Sequence, residues 1–193
     1  MADFKSGARR TSVPGRIPPQ LMIKTAKGVA DPEIEEAAAY FSGLKARPVI
    51  KVTESATVPK ISVAGWFLAA LPGGETEPIA GRIVEVPEDL ERFEMRDARS
   101  QFIAYVPPGS VEQGRQLATT GGNGKSTPCT TCHGIKMNGV GLVPGIAGRS
   151  PSYLVRQLYD FQHGTRAGPG STQMAPNVIK LTLDDMVALA AYA

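Results

Sequence analysis

The sequence has few side chains of the kinds that bind metals. Its 193 residues include only two cysteines and two histidines. A structural zinc site takes four protein ligands, so all four of these side chains would have to converge on one ion. His133 also follows Cys132 directly, which is an awkward way to share one tetrahedron. A structural zinc site is therefore the weaker interpretation of these residues.

Long apolar runs are missing too, and the amino terminus is polar. Apolar residues form 42% of the chain, and no run approaches the ~18 residues that a membrane-spanning helix requires. Met1 to Lys5 lack the features of a secretory signal peptide. The net charge of +3 comes from residues 109–193, with seven basic and four acidic side chains. This excess is either an ordinary solvated surface or a mildly basic rim that docks acidic partners.

Both cysteines lie in one short motif, Cys129-Thr-Thr-Cys132-His133. Two thiols on one helical turn can each add to a vinyl group of haem, and the next residue can direct its imidazole at the iron from the same side. C-x-x-C-H is the attachment motif of c-type haem. We predict one covalent haem c, with thioether bonds to Cys129 and Cys132 and with His133 as the proximal iron ligand.

A redox dithiol is the other alternative for this motif. A thioredoxin-type C-x-x-C should open a helix after a buried strand. Here residues 119–125, Thr-Thr-Gly-Gly-Asn-Gly-Lys, precede the motif and predict a loop. The sequence therefore favours haem attachment.

The residues after the motif are candidates for holding the haem. Glycines recur there, and glycine lets a backbone pack closely against a porphyrin edge. An iron-bound imidazole usually donates its other N–H to a carbonyl or carboxylate, and Pro144, 11 residues after His133, is the candidate carbonyl. Arg149, Arg156 and Arg166 are candidate partners for the haem propionates, with a solvated arginine as the equal alternative for each.

Three side chains compete to be the sixth iron ligand. Met137 is four residues from His133, so both lie on one face of one helical segment, and Met137 does not reach the opposite side of the ring. His163 would give a bis-histidine haem. Met174 lies in a segment expected to be irregular, residues 171–176, which is a poor place for a core methionine. We therefore predict His133/Met174 ligation, which raises the reduction potential and favours electron transfer over ligand binding.

The two ends of the chain repeat each other. Residues 4–9, Phe-Lys-Ser-Gly-Ala-Arg, match residues 161–166, Phe-Gln-His-Gly-Thr-Arg. A methionine follows each, and Met22 to Tyr40 and Met174 to Tyr192 are both 18 residues. Two unrelated amphipathic helices are the alternative. We interpret residues 4–45 as the back half of a first domain of the same kind as the one that contains Met174.

Local signals predict helices at both ends. Asp31 with Pro32 is expected to cap one helix, which should end near Gly43. Thr182 and Asp185 predict a capping box. Ser110 with Gln113 predicts another helix start. Gly114 would let a second helix pack closely against that helix, with a tolerated mid-helix glycine as the alternative. Tyr153 to Tyr159 is expected to be helical, with Leu154 and Leu158 facing inward.

Residues 47–108 have a different pattern, in which short β-rich runs alternate with proline and glycine turns. Strands are predicted at residues 49–52, 61–68, 82–86 and 102–106. The single tryptophan, Trp66, is expected to be a packing residue rather than an electron relay. We find no chemistry in this stretch and expect an ordered connector that packs against the flanking parts.

Together these motifs resemble the class I cytochrome c family, and more narrowly the two-domain dihaem cytochromes c of bacteria. The resemblance covers about residues 109–193 and rests on Cys129-Thr-Thr-Cys132-His133, Pro144-Gly-Ile-Ala-Gly148, Gly164-Thr-Arg166, Met174 and the closing helix through Tyr192. It implies a helical haem fold, His/Met iron, and periplasmic electron transfer between respiratory complexes or dehydrogenases and a terminal acceptor. No C-x-x-C-H precedes residues 4–45, which departs from the dihaem pattern.

The expected fold is mainly α, with a class I cytochrome c fold at the carboxyl end. We expect a partial first cytochrome domain at residues 1–46, a strand-containing connector at 47–108 and the haem domain at 109–193. Because Met22 lacks attachment cysteines before it and no export signal is visible, we also expect the sequence to be part of a longer dihaem protein.

The leading function is a periplasmic electron carrier rather than an enzyme, with redox proteins and not nucleic acid as partners. A haem-bearing subunit of a larger dehydrogenase complex is the alternative. A peroxidase-type catalyst would need an open iron site, which a sixth protein ligand closes.

Overall fold

The computed structural model describes residues 1–44 and 47–193. Helices account for 41% of the chain, which agrees with the expected mainly α class. In chain order the helices are α1 (Ala2–Lys5), α2 (Ile17–Gly28), α3 (Asp31–Ser42), α4 (Leu90–Glu94), α5 (Ser110–Thr120), α6 (Cys129–His133), α7 (Pro151–Gln162), α8 (Ser171–Met174) and α9 (Leu183–Tyr192). The strands are β1 (Ile50–Glu54), β2 (Thr57–Pro59), β3 (Ile61–Ala64), β4 (Phe67–Ala70), β5 (Thr76–Pro78), β6 (Val84–Pro87), β7 (Phe102–Val106), β8 (Gly139–Val140) and β9 (Val143–Pro144).

The chain divides into two compact units. The first unit comprises residues 1–47 and 157–179, and the second comprises residues 48–156 and 180–193. The boundary at residues 156 and 157 falls within α7. The three-part division expected from the sequence remains a prediction, and its first boundary, after residue 46, lies outside the described residues.

The first unit pairs the two repeated turns at its centre. Arg9 and Arg166 form an antiparallel bridge, in which Arg10 N donates to Thr165 O at 2.7 Å and Ala167 N donates to Ala8 O at 2.8 Å. Arg10 corresponds to Ala167 in the repeat, and Ala8 corresponds to Thr165. Each of the two hydrogen bonds is therefore the repeat equivalent of the other. The repeat seen in the sequence is therefore also a repeat of local structure.

Each repeated turn also folds its arginine in the same way. Arg9 Cζ lies 4.8 Å from the centre of the Phe4 ring, and Arg166 Cζ lies 4.3 Å from the centre of the Phe161 ring. Both guanidinium groups donate to Oε1 of Gln157, at 2.8 and 2.9 Å. A shared cation–π contact in two copies explains why the phenylalanine and the arginine recur together at a fixed spacing.

Helix α3 begins one residue earlier than the sequence suggested. Its N-cap is Ala30 rather than Asp31, because Glu33 Oε2 accepts a hydrogen bond from Ala30 N at 2.8 Å. Pro32 still lies in the first turn, where the missing N–H costs nothing. The helix ends at Gly43, as expected, whose N–H donates to Ala39 O.

The second unit contains the sheet of the connector. Strand β7 lies in the middle, parallel to β1 and antiparallel to β6. Strands β2 and β5 pair antiparallel, as do β3 and β4. Val58, Ile79, Val84 and Val86 form a buried core, with Tyr105 packed against it. The expected strand at 102–106 is β7, with the predicted bounds, and the expected strands at 49–52 and 82–86 correspond to β1 and β6 with shifted ends.

Two expectations for this connector were wrong. The run at residues 61–68 is a hairpin rather than one strand, because Gly65, at φ 62°, turns the chain between β3 and β4. Trp66 lies on that turn with 73% of its surface exposed, so it is not a packing residue. Helix α4 was not expected; Asp89 caps it by accepting from Arg92 N at 2.9 Å.

The close crossing of α5 and α9 is the main helical contact of the second unit. A Cβ atom on Gly114 would overlap the carbonyl oxygen of Ala188 and lie 2.9 Å from Cβ of Tyr192. Glycine is therefore required at this crossing, as the sequence predicted. Helix α9 begins with the predicted box, in which Thr182 Oγ1 accepts from Asp185 N at 3.1 Å and Asp185 Oδ2 accepts from Thr182 N at 2.9 Å.

Helix α5 is capped differently from the prediction. Its N-cap is Gly109, in the left-handed region at φ 80°, and Ser110 is already helical. The expected Ser110–Gln113 box is replaced by Glu54 on β1, whose Oε1 accepts from Val111 N at 2.8 Å. Within residues 1–44 and 47–193, no helix is both long and apolar enough to cross a membrane.

Candidate haem-attachment site

The C-x-x-C-H motif forms a single helical turn, α6. Pro128 precedes the turn in an extended conformation and accepts a hydrogen bond from Thr131 N at 3.0 Å. Gly134, at φ 81°, ends it, in a conformation that favours glycine. Cys129 is half-buried and Cys132 exposed, and both thiols are free. The two cysteines thus lie on one turn, as thioether attachment requires.

His133 is buried and held by one backbone carbonyl. Its Nδ1 lies 2.8 Å from the carbonyl oxygen of Pro144, and 8% of its surface is exposed. A carbonyl can only accept, so Nδ1 carries the proton and Nε2 keeps its lone pair. This arrangement orients an iron-binding imidazole. The donor set therefore fits a c-type haem, with Nε2 as the ligand atom.

Pro144 is positioned by a small antiparallel pair of strands. Strand β8 pairs with β9, and Gly139 lies opposite Pro144. A Cβ atom on Gly139 would lie 2.6 Å from Gly145 N and 2.6 Å from Val143 O, so only glycine allows the two strands to approach this closely. The glycines after the motif therefore have a specific structural role at this position.

Met137 is a buried residue that holds the segment after Pro144. It is 4% exposed and has a φ of 55°. Its carbonyl oxygen accepts from Ile146 N at 2.8 Å and from Ala147 N at 3.0 Å. Gly148 N donates to the carbonyl oxygen of Ala193 at 2.8 Å. Met137 is thus a buried structural residue of the loop that carries Pro144.

The other two candidate iron ligands lie in the first unit. Met174 is the last residue of α8 and is half-buried. Its segment was expected to be irregular, but it is a helical turn that continues into a 3-10 turn at Ala175–Asn177. His163 is exposed; its ring stacks on Tyr159 at 3.9 Å, and its Nδ1 lies 2.9 Å from the Tyr159 carbonyl oxygen.

The candidate propionate partners are also divided between the units. Arg156 is half-buried on α7 and belongs to the second unit. Arg166 belongs to the first unit, where it donates to Gln157 beside Arg9. Arg149 is exposed. The structure therefore unites Cys129, Cys132, His133 and Pro144 in one unit and places Met174 and Arg166 in the other.

Burial of the first cysteine of the motif does not match a redox dithiol. Burial raises the pKa of the Cys129 thiol, whereas reactive dithiols have lowered pKa values. Among the described residues, no group of three or more His, Cys, Asp and Glu side chains could hold a metal ion. Neither observation supports the dithiol or zinc alternatives.

An ion pair anchors the loop before the motif to α9. Lys125 Nζ lies 2.8 and 2.9 Å from the carboxylate oxygens of Asp185, which is 3% exposed. Burial by itself would raise the pKa of Asp185, but hydrogen bonds from Lys125 and Thr182 outweigh it and hold that pKa below its usual value.

Sequence reasoning missed two glutamates of the connector. Glu54 on β1 binds the first turn of α5, and Glu85 on β6 binds the first turn of α7. Glu85 Oε1 accepts from Ser152 N at 2.7 Å, and its two oxygens lie 2.9 and 2.7 Å from Ser150 Oγ. The alternating Val84-Glu85-Val86 pattern predicts only that Glu85 faces away from the valine core.

Comparisons with known proteins place the chain among bacterial cytochromes c. It is 32% identical to cytochrome c4 of Pseudomonas aeruginosa over 101 residues, which is 49% of either chain. It is 30% identical to the cytochrome subunit of sulfide dehydrogenase of Chlorobaculum tepidum over 95 residues, 49% of this chain and 84% of that one. The chain spans about half the length of the cytochrome c4 relative.

The fold also matches a solved structure. The crystal structure of reduced recombinant cytochrome c4 from Pseudomonas stutzeri matches 99% of this chain and 74% of that chain, with a TM-score of 0.57 and 22% identity. At that identity the match supports the fold alone. No protein-family model matches the chain.

Proposed function

The chain belongs to the class I cytochrome c family, and we propose on that basis that it is an electron carrier with one covalent haem c. Cys129 and Cys132 form the thioether bonds, and His133 Nε2 is the proximal iron ligand. When bound, the haem takes up and releases one electron at its iron. The residues of this chain hold the group, fix the orientation of the proximal imidazole and keep water from the buried His133 side.

The contact between His133 and Pro144 is the observation that carries this proposal. A 2.8 Å hydrogen bond at Nδ1 fixes both the tautomer and the plane of the ring. The bond belongs to a loop in which Gly139 pairs with Pro144 and the Met137 carbonyl accepts from Ile146 N and Ala147 N. Such a fixed imidazole directly after two free thiols has one obvious chemical use, which is to bind iron in an attached haem.

Met174 is proposed as the sixth ligand. It follows the motif by 41 residues and ends α8 with a half-buried side chain. His163 is the weaker candidate because its side chain is exposed and its ring stacks on Tyr159. If His133 and Met174 both held the iron, small molecules would bind it poorly, which would suit electron transfer. Arg156 and Arg166 are proposed to bind the propionates.

Mass spectrometry tests haem attachment. Protein made in cells competent in haem attachment should keep one haem mass after acid–acetone extraction, because thioether bonds survive this treatment. Cys129→Ala with Cys132→Ala, made in the same cells, is the control that should lose all haem. Recovery of the bare polypeptide mass from the unmodified chain would refute the proposal.

Spectroscopy tests the sixth ligand. The oxidised protein should show the weak near-infrared band of methionine–iron coordination. Met174→Ala should abolish the band and let the ferrous iron bind carbon monoxide. Met22→Ala is the matched control and should leave the band unchanged. Survival of the band in Met174→Ala would contradict the assignment.

We further propose periplasmic redox proteins as partners, as for electron carriers of this family. The sulfide dehydrogenase subunit among the relatives favours one second candidate, a haem subunit bound within a larger dehydrogenase. Gel filtration of the native protein distinguishes the two. A carrier should run alone, whereas a subunit should purify with a fixed stoichiometry of another chain.

A further inference from the structure

Two glutamates of the connector accept hydrogen bonds from the first turns of two helices. Glu85 binds the amino end of α7 through Ser150 Oγ and Ser152 N, and Glu54 binds the amino end of α5 through Val111 N. A carboxylate at a helix amino terminus satisfies N–H groups that have no partner within the helix and interacts favourably with the helix dipole. The sheet is therefore joined to the helices of its unit by charged hydrogen bonds.

Only the Glu85 contact lies on the loop that carries Pro144. Ser150 ends the loop that runs from Pro144, the residue whose carbonyl holds His133. Ser150 Oγ also accepts from Tyr153 N at 3.1 Å, so the Glu85 contact fixes the loop end and the helix start together. Val111, which Glu54 binds, belongs to a different helix and lies outside this loop.

We propose that Glu85 is a positioning residue of the iron site, and that it acts by fixing the loop whose Pro144 carbonyl sets the plane of the His133 imidazole. This inference rests on the proposed haem attachment. It assigns a function to the connector, in which the sequence shows no chemistry.

The loop between Pro144 and Ser150 depends on a series of anchors. The Met137 carbonyl holds Ile146 and Ala147, and the Ala193 carbonyl holds Gly148. Glu85 supplies the next anchor, at Ser150, and it comes from the sheet. The loop has no regular secondary structure after β9, so these anchors define its path. Loss of the anchor at Ser150 would free the loop end. Under this proposal, the anchors at residues 146–148 do not by themselves hold the Pro144 carbonyl in its wild-type position against the His133 ring.

Strand geometry aims Glu85 at this loop. Val84 and Val86 are 1% and 3% exposed and lie in the core of the sheet. Alternation places the intervening Glu85 on the opposite face, where it is half-buried. The position of the carboxylate is thus set by a well-packed strand, which is what a positioning residue needs.

Four substitutions test the proposal in the full-length protein with haem attached. Glu85→Ala removes both the hydrogen bonds and the charge. Glu85→Gln removes the charge but keeps an acceptor for Ser152 N and a donor for Ser150 Oγ. Ser150→Ala removes the hydroxyl at the loop end. Glu54→Ala removes the corresponding contact from α5 and is the matched control.

The readout is the proton NMR spectrum of the oxidised protein, in which the spread of the haem methyl shifts depends on the orientation of the axial ligands. Glu85→Ala and Ser150→Ala should change that spread, and Glu85→Gln should keep most of the wild-type pattern. Glu54→Ala should lower the unfolding temperature without changing the spread. Ser150→Ala decides the matter alone if Glu85→Ala does not accumulate.

Unchanged methyl shifts in Ser150→Ala, or an equal change in Glu54→Ala, would overturn the positioning role. A wild-type protein without covalent haem would instead refute the proposed function. The two failures are therefore distinguishable.

Discussion

The two closing helices, α3 and α9, occupy equivalent positions of the repeat and have different surroundings. Each contains a tyrosine that lies 18 residues after a methionine. Seven of the ten residues of α9 are buried, from Asp185 to Ala191, whereas no residue of α3 is. The repeat therefore identifies equivalent helices but does not determine their burial, which depends on a partner helix such as α5.

The composition of the two helices reflects the same difference. In helix α9, Val187 and Ala188 are buried and Ala188 meets α5 at Gly114, whereas α3 has Glu35 and Glu36 at the same repeat positions. The glutamates of α3 could not be buried in this way without partners for their charges. Tyr40 and Phe41 in α3 are 65% and 67% exposed. The same methionine-to-tyrosine spacing thus occurs with a buried helix and with an exposed one.

The largest expected difference between the copies comes from the first inward residue of each helix. Met186→Ala should lower the free energy of unfolding by about 3 kcal/mol, because it leaves a cavity in a close-packed core. Ile34→Ala, at the same repeat position, should cost less than about 1 kcal/mol because Ile34 is only half-buried. Urea unfolding of the two variants measures both values, and equal costs would show that α3 is packed as tightly as α9.

A smaller effect is expected at the helix crossing. Gly114→Ala should lower the free energy of unfolding by about 2 kcal/mol, because the new methyl overlaps the Ala188 carbonyl. Gly28→Ala is the matched control at the end of α2, where no atom lies within 4 Å of a new Cβ. That change should be neutral or stabilise by up to about 0.5 kcal/mol. Thermal unfolding of the two variants measures the difference. An unfolding temperature of Gly114→Ala equal to that of the unmodified protein would contradict the close crossing.

The two lysine–aspartate pairs should respond differently to acid. Asp185 has a lowered pKa in the folded protein, so its contribution to stability is present above the unfolded pKa and is lost as the pH falls through the folded value. Lys125→Met should cost about 1 kcal/mol at neutral pH and move the acid-unfolding midpoint to higher pH.

Lys5→Met is the control for that experiment. Lys5 hydrogen-bonds to the exposed Asp31 at 2.6 Å and lowers its pKa. Exposed pairs contribute little and are screened by salt. The acid-unfolding midpoint should therefore not move, and a shift as large as that of Lys125→Met would remove the distinction between the two pairs.

The smallest expected effect concerns the helix starts. Helix α9 has a complete capping box, whereas Ala30 of α3 offers no side-chain oxygen and only its N–H is bound, by Glu33. Ala30→Thr should complete the box and stabilise α3 by about 0.5 kcal/mol, while Thr182→Ala should cost about 1 kcal/mol. Amide hydrogen exchange of each helix measures the change. Slower exchange in α3 is the expected result for Ala30→Thr, and unchanged exchange would contradict it.

Local patterns in the sequence predicted what local interactions determine. The motif Cys129–His133 is one turn of helix, and the candidate carbonyl of Pro144 lies within hydrogen-bonding distance of His133, because 11 residues with glycine at Gly139 can close a tight loop. For Gly114 the sequence left two alternatives, a close helix crossing and a tolerated mid-helix glycine, and the contact with Ala188 decides for the crossing.

Long-range contacts could not be predicted in this way. Glu85 and Ser152 are 67 residues apart, and no local pattern pairs a strand residue with a helix start at that distance. Residues 61–68 form a hairpin because Gly65 has a positive φ. The apolar residues on both sides of Gly65 gave no sign of a turn there. The caps of α3 and α5 moved by one residue because Glu33 and Glu54 supply the carboxylates.

The paired turns of the first unit also constrain the order of folding. Ser12 Oγ lies 2.6 Å from Thr165 Oγ1, across a separation of 153 residues. On a ribosome, the amino-terminal turn therefore has to wait until most of the chain has been made before its partner exists. Closing such a long loop adds only about 0.6 kcal/mol for each doubling of its length, so the delay matters more than the entropy. We expect the contact between the two repeated turns to form late in folding, because contacts between residues far apart in sequence form slowly.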